Sequence, residues 1–146
     1  MCGIAGHIDF AQSAEQGQIV LAEMLQSIEH RGPDARGQFE VSPSVFLGHN
    51  RLSIIDLSDD SNQPMIRGDL ALVFNGEIYN YLEIREELIG QGVQFKTESD
   101  TEVIIESNKK WGRDCVNRFV GMWAFAIWDD AKRELFCSRD RFGIKP

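Results

Sequence analysis

The order of strand-forming and helix-forming segments along this 146-residue chain allows few architectures. Short apolar or alternating runs predict strands at residues 3–10, 37–41, 45–49, 52–55, 70–74, 120–128 and 134–138. Amphipathic patterns predict helices at residues 18–29, 81–91 and 99–111. Because the strands form an early and a late group around two central helices, we expect an α+β domain with helices packed on stacked antiparallel sheets.

The composition is that of a folded globular domain and argues against several other classes of protein. Hydrophobic residues make up 42% of the chain and no apolar run approaches the roughly 18 residues of a membrane span. The N-terminus lacks the pattern of a signal peptide. A net charge of −8 argues against nucleic acid as a partner, because nucleic acid requires a basic patch. Three cysteines without zinc-ligand spacing predict no metal site and fit a cytoplasmic protein.

Cys2 directly follows the initiator methionine in the opening stretch MCGIAGH. If Met1 is removed, the thiol and a free α-amine belong to the same residue. An α-amine has a pKa of about 7.7–8.0, which suits a general base acting on a thiol. A cysteine at this position is more often a bystander, so both interpretations stand at this point. While Met1 remains, the nitrogen of Cys2 is an amide and cannot serve as the base.

The segment FNGEIYN at residues 74–80 offers donors for an oxyanion. The Asn75 side-chain amide and the Gly76 N–H supply two such donors, at the point where we expect the strand 70–74 to end. The alternative is a type I′ hairpin turn, which Asn-Gly pairs commonly form. The flanking residues do not alternate as hairpin strands do, and this favours the donor interpretation.

Arg51 and Asp100 form a pair suited to a free amino acid. A guanidinium binds a carboxylate through two hydrogen bonds, and a carboxylate binds an ammonium group. The alternative for both is a surface ion pair or a helix cap, since Asp100 lies at a predicted helix start. His49, close to Arg51 in the sequence, is interpreted as a structural or surface histidine.

Eight motifs occur in the order in which one known family carries them. They are MCGIAG at the start, HRGPD at 30–34, GHNRLSIIDL at 48–57, QPM at 63–65, NGEIYNY at 75–81, SDTE at 99–102, GMWAFAIWD at 121–129 and RDRFGIKP at 139–146. The chain thus resembles the glutaminase domain of class II glutamine amidotransferases, which are N-terminal-nucleophile hydrolases. Within that group it is most similar to the N-terminal half of glutamine-hydrolysing asparagine synthetases.

The resemblance implies a role for each matching residue. Cys2 would be the nucleophile with its own α-amine as base, and Asn75 with the Gly76 N–H would form the oxyanion hole. The implied substrate contacts are Arg51 to the carboxylate of glutamine, Asp100 and Glu77 to its ammonium, and the backbone near Leu52 and Ile54.

The resemblance also implies an architecture and a reaction. We expect a four-layer αββα sandwich over residues 1–146, incomplete at its C-terminal end and without the synthetase domain. It would hydrolyse glutamine to glutamate and ammonia through a Cys2 thioester and need no cofactor itself. A synthetase domain would use ATP and magnesium to make asparagine from aspartate and the ammonia.

Two alternatives to this function stand beside it. Relatives that amidate another acceptor share the same N-terminal half, and a non-catalytic glutamine-binding or interaction module is a different class of protein. Because an incomplete sandwich leaves sheet edges unpaired, we also expect association into a homodimer.

Overall fold

The computed structural model describes residues 2–52 and 62–146, which fold into two antiparallel sheets and three α-helices. The strands are β1 (Gly3–Ile8), β2 (Ala35–Ser42), β3 (Val45–Arg51), β4 (Met65–Arg67), β5 (Leu70–Ile78), β6 (Gly121–Asp129) and β7 (Glu134–Arg139). The helices are α1 (Ala14–Ser27), α2 (Tyr81–Gly90) and α3 (Asp100–Trp111), with short 3₁₀ helices at Glu29–Arg31 and Gly112–Arg118.

The elements stack in four layers. The first sheet has the strand order β1-β3-β2 and the second has the order β4-β5-β6-β7. Helix α1 covers the first sheet through Leu21 and Leu25, which pack on Phe46. Helices α2 and α3 cover the second sheet through Leu88 and Ile105, among other buried residues. This arrangement confirms the predicted α+β class and the αββα sandwich.

The layer between the two sheets is apolar at one end and polar at the other. Its apolar part is formed by Val45, Leu47, Ala71, Val73 and Trp128. Side chains of a strand alternate between the two faces of its sheet. On each strand, the residues whose side chains point between the sheets form an inward row. The inward row of β3 continues from Val45 and Leu47 to His49 and Arg51. The inward row of β5 continues from Ala71 and Val73 to Asn75 and Glu77. The polar end of this layer holds the candidate site.

The structure corrects the prediction that the strand 70–74 ends at Asn75-Gly76. Strand β5 runs on to Ile78, with Asn75 opposite Ala124 and Gly76 opposite Trp123. The Asn-Gly pair is thus neither a strand end nor a hairpin turn. A Cβ on Gly76 would lie 2.2 Å from the Met122 carbonyl oxygen, so close approach of β6 explains this glycine.

Other boundaries differ in smaller ways. Helix α1 begins at Ala14 rather than residue 18, because the Ser13 side chain accepts the Gln16 N–H and caps the helix. Strand β4 was not predicted. Leu52 follows β3 without joining a strand, and the rest of the predicted strand 52–55 lies outside the described residues.

The two central helices and the final hairpin of β6 and β7 are confirmed. None of the helices in the described ranges has the length and apolar character needed to cross a membrane.

Candidate active site

A cavity of about 150 Å³ opens at the polar end of the layer between the sheets. Seven of the eight predicted site residues line it, namely Cys2, Arg51, Leu52, Asn75, Gly76, Glu77 and Asp100. The eighth, Ile54, lies outside the described residues. The cavity is also lined by His49, Gln63, Phe74, Ser99, Thr101, Met122 and Lys145, to which the sequence analysis gave no site role.

The Cys2 thiol is held by the backbone of Leu52. The Leu52 N–H donates to Cys2 Sγ at 3.3 Å, and the Leu52 carbonyl oxygen lies 3.6 Å from the same sulfur. On its other side, the Cys2 carbonyl accepts from Arg31 Nε at 3.1 Å. The adjacent residue Gly3 begins β1 and pairs with Asn50 of β3. The register of β1 on β3 therefore places the thiol at the mouth of the inter-sheet layer.

β4 pairs only with residues 70–72 of β5. Beyond that pairing, the edge of β5 opposite β6 turns backbone N–H groups toward the cavity. The Phe74 N–H donates to Gln63 Oε1 at 2.6 Å, and the Ile78 N–H donates to Asp100 Oδ2 at 3.1 Å. Backbone N–H groups of alternate residues in an antiparallel strand point to the same edge. The Gly76 N–H, between these two, therefore also points away from β6, beside the Asn75 side chain.

Gln63 is a site residue that the sequence analysis missed. It is buried and its carboxamide joins two elements, accepting from Phe74 of β5 and donating from Nε2 to Thr101 Oγ1 of α3 at 3.3 Å. It stands where a longer β4 would pair with β5. The motif QPM carries no pattern that indicates this role, because the contact depends on β4 beginning only at Met65, two residues after Gln63.

Asp100 is a buried carboxylate at the first turn of α3. The Ser99 side chain caps the helix by accepting the Glu102 N–H. Burial raises the pKa of Asp100 to about 6, hydrogen bonds from the Ile78 and Thr101 N–H groups lower it, and the charge of Glu77 raises it further. Two neighbouring acidic groups with little water around them favour a cationic group between them.

Glu102 of the same motif supports the site without lining it. It is 1% exposed and accepts hydrogen bonds from the Lys96 and Thr97 N–H groups, while Arg67 Nε donates to it at 3.2 Å. Burial tends to raise the pKa of Glu102, but these bonds outweigh it and hold the pKa below its usual value. Glu102 thereby fixes the segment that leads into Ser99 and Asp100.

Two basic side chains on β3 face the cavity. Arg51 is buried, and its Nη1 donates to Asn62 Oδ1 at 2.7 Å. His49 is 1% exposed, so it is not the surface residue that the sequence analysis allowed. Burial lowers the pKa of His49 to about 4; the Phe74 carbonyl opposes this and the charge of Arg51 adds to it. His49 is therefore neutral at pH 7.

Within residues 2–52 and 62–146, no three His, Cys, Asp or Glu side chains cluster as metal ligands would. The chemistry that these described residues offer is that of a thiol, hydrogen-bond donors and paired charges. A thiol and two hydrogen-bond donors that line one cavity suit acyl transfer, and a guanidinium and a carboxylate in the same cavity suit a free amino acid.

Comparison with known proteins connects this geometry to a family. Residues 1–146 match a family model described as a glutamine amidotransferase domain. Asparagine synthetase (glutamine-hydrolysing) 3 of Bacillus subtilis is 39% identical, over 100% of this chain and 24% of that protein. A homologue in Methanocaldococcus jannaschii is 44% identical, over 100% of this chain and 31% of that protein. The chain thus spans less than a third of the length of these two relatives.

A solved structure has the same fold. Glutamine phosphoribosylpyrophosphate amidotransferase of B. subtilis, in complex with ADP and GMP, superimposes with a TM-score of 0.76 over 99% of this chain and 38% of that chain. The sequences are 23% identical, so the match concerns the fold alone. It supports the N-terminal-nucleophile sandwich that the motifs predicted.

Proposed function

This chain belongs to the glutamine amidotransferase domain family, and we propose that its cavity hydrolyses glutamine to glutamate and ammonia, with Cys2 as the nucleophile. One observation supports this most directly. Residues from the C-terminal parts of β3 and β5 and from the start of α3 meet Cys2 in one cavity, although they are far apart in the sequence. A binding module has no need of a thiol beside two oxyanion donors.

The cavity offers complementary groups for the amino-acid end of glutamine. Arg51 takes the α-carboxylate through its planar guanidinium, which forms two parallel hydrogen bonds with a carboxylate. Asp100 takes the α-ammonium, and the nearby charge of Glu77 strengthens the negative potential there. Binding of both charged groups orients the side-chain carboxamide of glutamine toward Cys2. The thiol and the carboxamide then react within one complex rather than by random collision.

The chemical steps follow from the groups around the carboxamide. Cys2 Sγ attacks the carboxamide carbon, and the thiol proton passes to the free α-amine of Cys2, which then donates it to the leaving ammonia. The oxyanion accepts hydrogen bonds from Asn75 Nδ2 and the Gly76 N–H. Water then adds to the thioester and releases glutamate. This mechanism requires removal of Met1, because only a free amine can carry the proton.

The relatives are longer than this chain, so the use of the ammonia is a separate proposal. We propose that residues 1–146 are the glutaminase part of a cytoplasmic asparagine synthetase, in which a synthetase domain uses ATP and magnesium to amidate aspartate. The glutaminase part itself uses no cofactor. The name of the B. subtilis relative supports aspartate over another acceptor. We also propose that this chain associates into a homodimer.

Glutamate release and covalent labelling test the proposed reaction together. We expect the chain without Met1 to release glutamate from glutamine and to take one adduct from 6-diazo-5-oxonorleucine, located on Cys2 by mass spectrometry. Cys137 is exposed and is an internal control for unspecific alkylation, whereas Cys115 is buried. A chain without Met1 that binds glutamine but forms neither glutamate nor adduct is a binding module, which would contradict the proposal.

The raised pKa of Asp100 predicts that glutamine binding weakens in mild acid. With a pKa of about 6, the carboxylate is mostly ionised at pH 7 and mostly protonated at pH 5. A protonated carboxyl cannot pair with an ammonium, so the Kd of glutamine should rise about tenfold from pH 7 to pH 5. Calorimetry on the Cys2→Ala chain measures binding without turnover.

The matched control for this pH dependence is Asp100→Asn. Its amide does not titrate, so its weaker binding should change little over the same pH range. An equal loss of affinity in both chains would assign the pH dependence to another group.

A further inference from the structure

Two polar groups of buried residues, His49 Nε2 and the Asn75 carboxamide, have no hydrogen-bond partner in the described part of the chain. His49 is 1% exposed and its Nε2 atom has no partner. Asn75 is 3% exposed, and none of the hydrogen bonds among the described residues involves its carboxamide. Buried polar atoms are nearly always paired, so an unpaired His49 Nε2 beside the cavity that Asn75 lines indicates a functional arrangement.

The two side chains belong to strands of different sheets and line the same cavity between them. His49 follows Leu47 on the inward row of β3, and Asn75 follows Val73 on the inward row of β5; Leu47 and Val73 already share one cluster. Both His49 and Asn75 line the same cavity. The His49 ring also interacts with the carbonyl of Phe74, which is bonded directly to the nitrogen of Asn75. The ring therefore lies at the peptide that carries Asn75.

The protonation of the His49 ring decides what Nε2 can bind. The interaction with the Phe74 carbonyl favours a hydrogen on the ring nitrogen that faces it, and a neutral imidazole carries a single N–H. Because Nε2 has no partner, we assign this hydrogen to Nδ1, which leaves Nε2 as an acceptor. The neighbouring donor without a partner is the NH₂ group of Asn75.

We infer that His49 is a positioning residue that orients the Asn75 carboxamide, with Nε2 accepting one hydrogen of the Asn75 NH₂ group. The other hydrogen is then left for the oxyanion. The reversed amide would place Oδ1 against Nε2, and two acceptors repel. In the structure the two groups do not yet meet hydrogen-bond geometry, so the Asn75 side chain rotates to close the gap. The catalytic consequence rests on the proposed function; the contact itself does not.

Kinetics can separate positioning from a structural role. We expect His49→Leu to lower kcat for glutamine hydrolysis about tenfold while KM changes less than twofold. His49→Gln keeps a nitrogen and an oxygen near the position of Nε2 and should restore most of kcat. In an Asn75→Ala background, His49→Leu should cost less than a further twofold, because the group that it orients is gone. If His49→Leu lowers kcat by the same factor in the Asn75→Ala background as in the wild-type chain, the inference is overturned.

His7→Leu is the matched control for removing a histidine. The His7 Nε2 atom is paired with the Gly17 carbonyl and its ring stacks on Phe46, away from the cavity. Its loss should lower stability and leave kcat unchanged. Thermal unfolding of each variant checks that a loss of kcat does not reflect unfolding.

An NMR measurement tests the contact without turnover. In the ¹⁵N-labelled Cys2→Ala chain, with and without saturating glutamine, we expect a ¹⁵N–¹⁵N coupling across the hydrogen bond between Asn75 Nδ2 and His49 Nε2. Absence of the coupling in both samples would overturn the inference. The coupling in a wild-type chain that releases no glutamate would uphold the contact and refute the proposed function, so the two failures are distinguishable.

Discussion

Cys2→Ala is expected to lower the kcat for glutamate release by on the order of 10⁴-fold or more, since no thioester forms without the sulfur. Removing the nucleophile of a covalent mechanism leaves only the contribution of the oxyanion donors and of substrate positioning. The measurement is glutamate release from glutamine by the chain without Met1, with single-turnover mixing to detect the acyl-enzyme. We expect the thioester burst of the wild-type chain to disappear in the variant.

Two controls accompany this experiment. The variant should still bind glutamine, because Arg51 and Asp100 are unchanged, and calorimetry measures that binding. Cys137→Ala removes an exposed thiol outside the cavity and should leave kcat unaltered. A Cys2→Ala chain with wild-type turnover would refute the mechanism, whatever its affinity for glutamine.

Asn75→Ala is expected to lower kcat by about 100–1000-fold, the usual effect of losing one oxyanion donor. The Gly76 N–H belongs to the backbone and stays in place, so some activity should survive. KM should change much less, because the carboxamide of Asn75 acts on charge that develops only in the transition state. Steady-state kinetics with glutamine separates the two parameters.

Asn80→Ala is a control from the same motif. Its side chain bridges the Arg118 carbonyl and the Val120 N–H through exposed hydrogen bonds and does not line the cavity. We expect lower stability of this variant and unchanged kcat. An Asn75→Ala chain within threefold of wild-type kcat would remove Asn75 from the proposed oxyanion hole.

Asn75 and Gly76 show what residue type indicates and what it does not. The side-chain amide and the N–H were identified as a donor pair from residue type alone. The predicted strand end at these two residues was wrong, because β5 continues through both of them to Ile78. Asn-Gly is a frequent turn pair, but the pairing of β5 with β6 overrides that local preference. The glycine is explained by the nearby Met122 carbonyl, a contact between strands distant in sequence.

Gln63 and His49 show the opposite case. Nothing in the pattern around Gln63 distinguishes it from any other glutamine, yet its carboxamide joins β5 to α3. His49 was interpreted as a structural or surface residue, and its buried ring lines the cavity. Both assignments depend on long-range packing, for which a single sequence has no local signal.

The amino-acid sequence alone was enough to predict the α+β class, the central helices and the final hairpin. It also suggested the roles of Cys2, Arg51 and Asp100, which stay predictions. These depend on periodicity, capping and residue type, which are local properties. Tertiary structure alone set the end of β5, the direction of the Gly76 N–H and the raised pKa of Asp100. Each of these arises where two sheets and a helix meet, because strand pairing and burial are set by residues far apart in the chain.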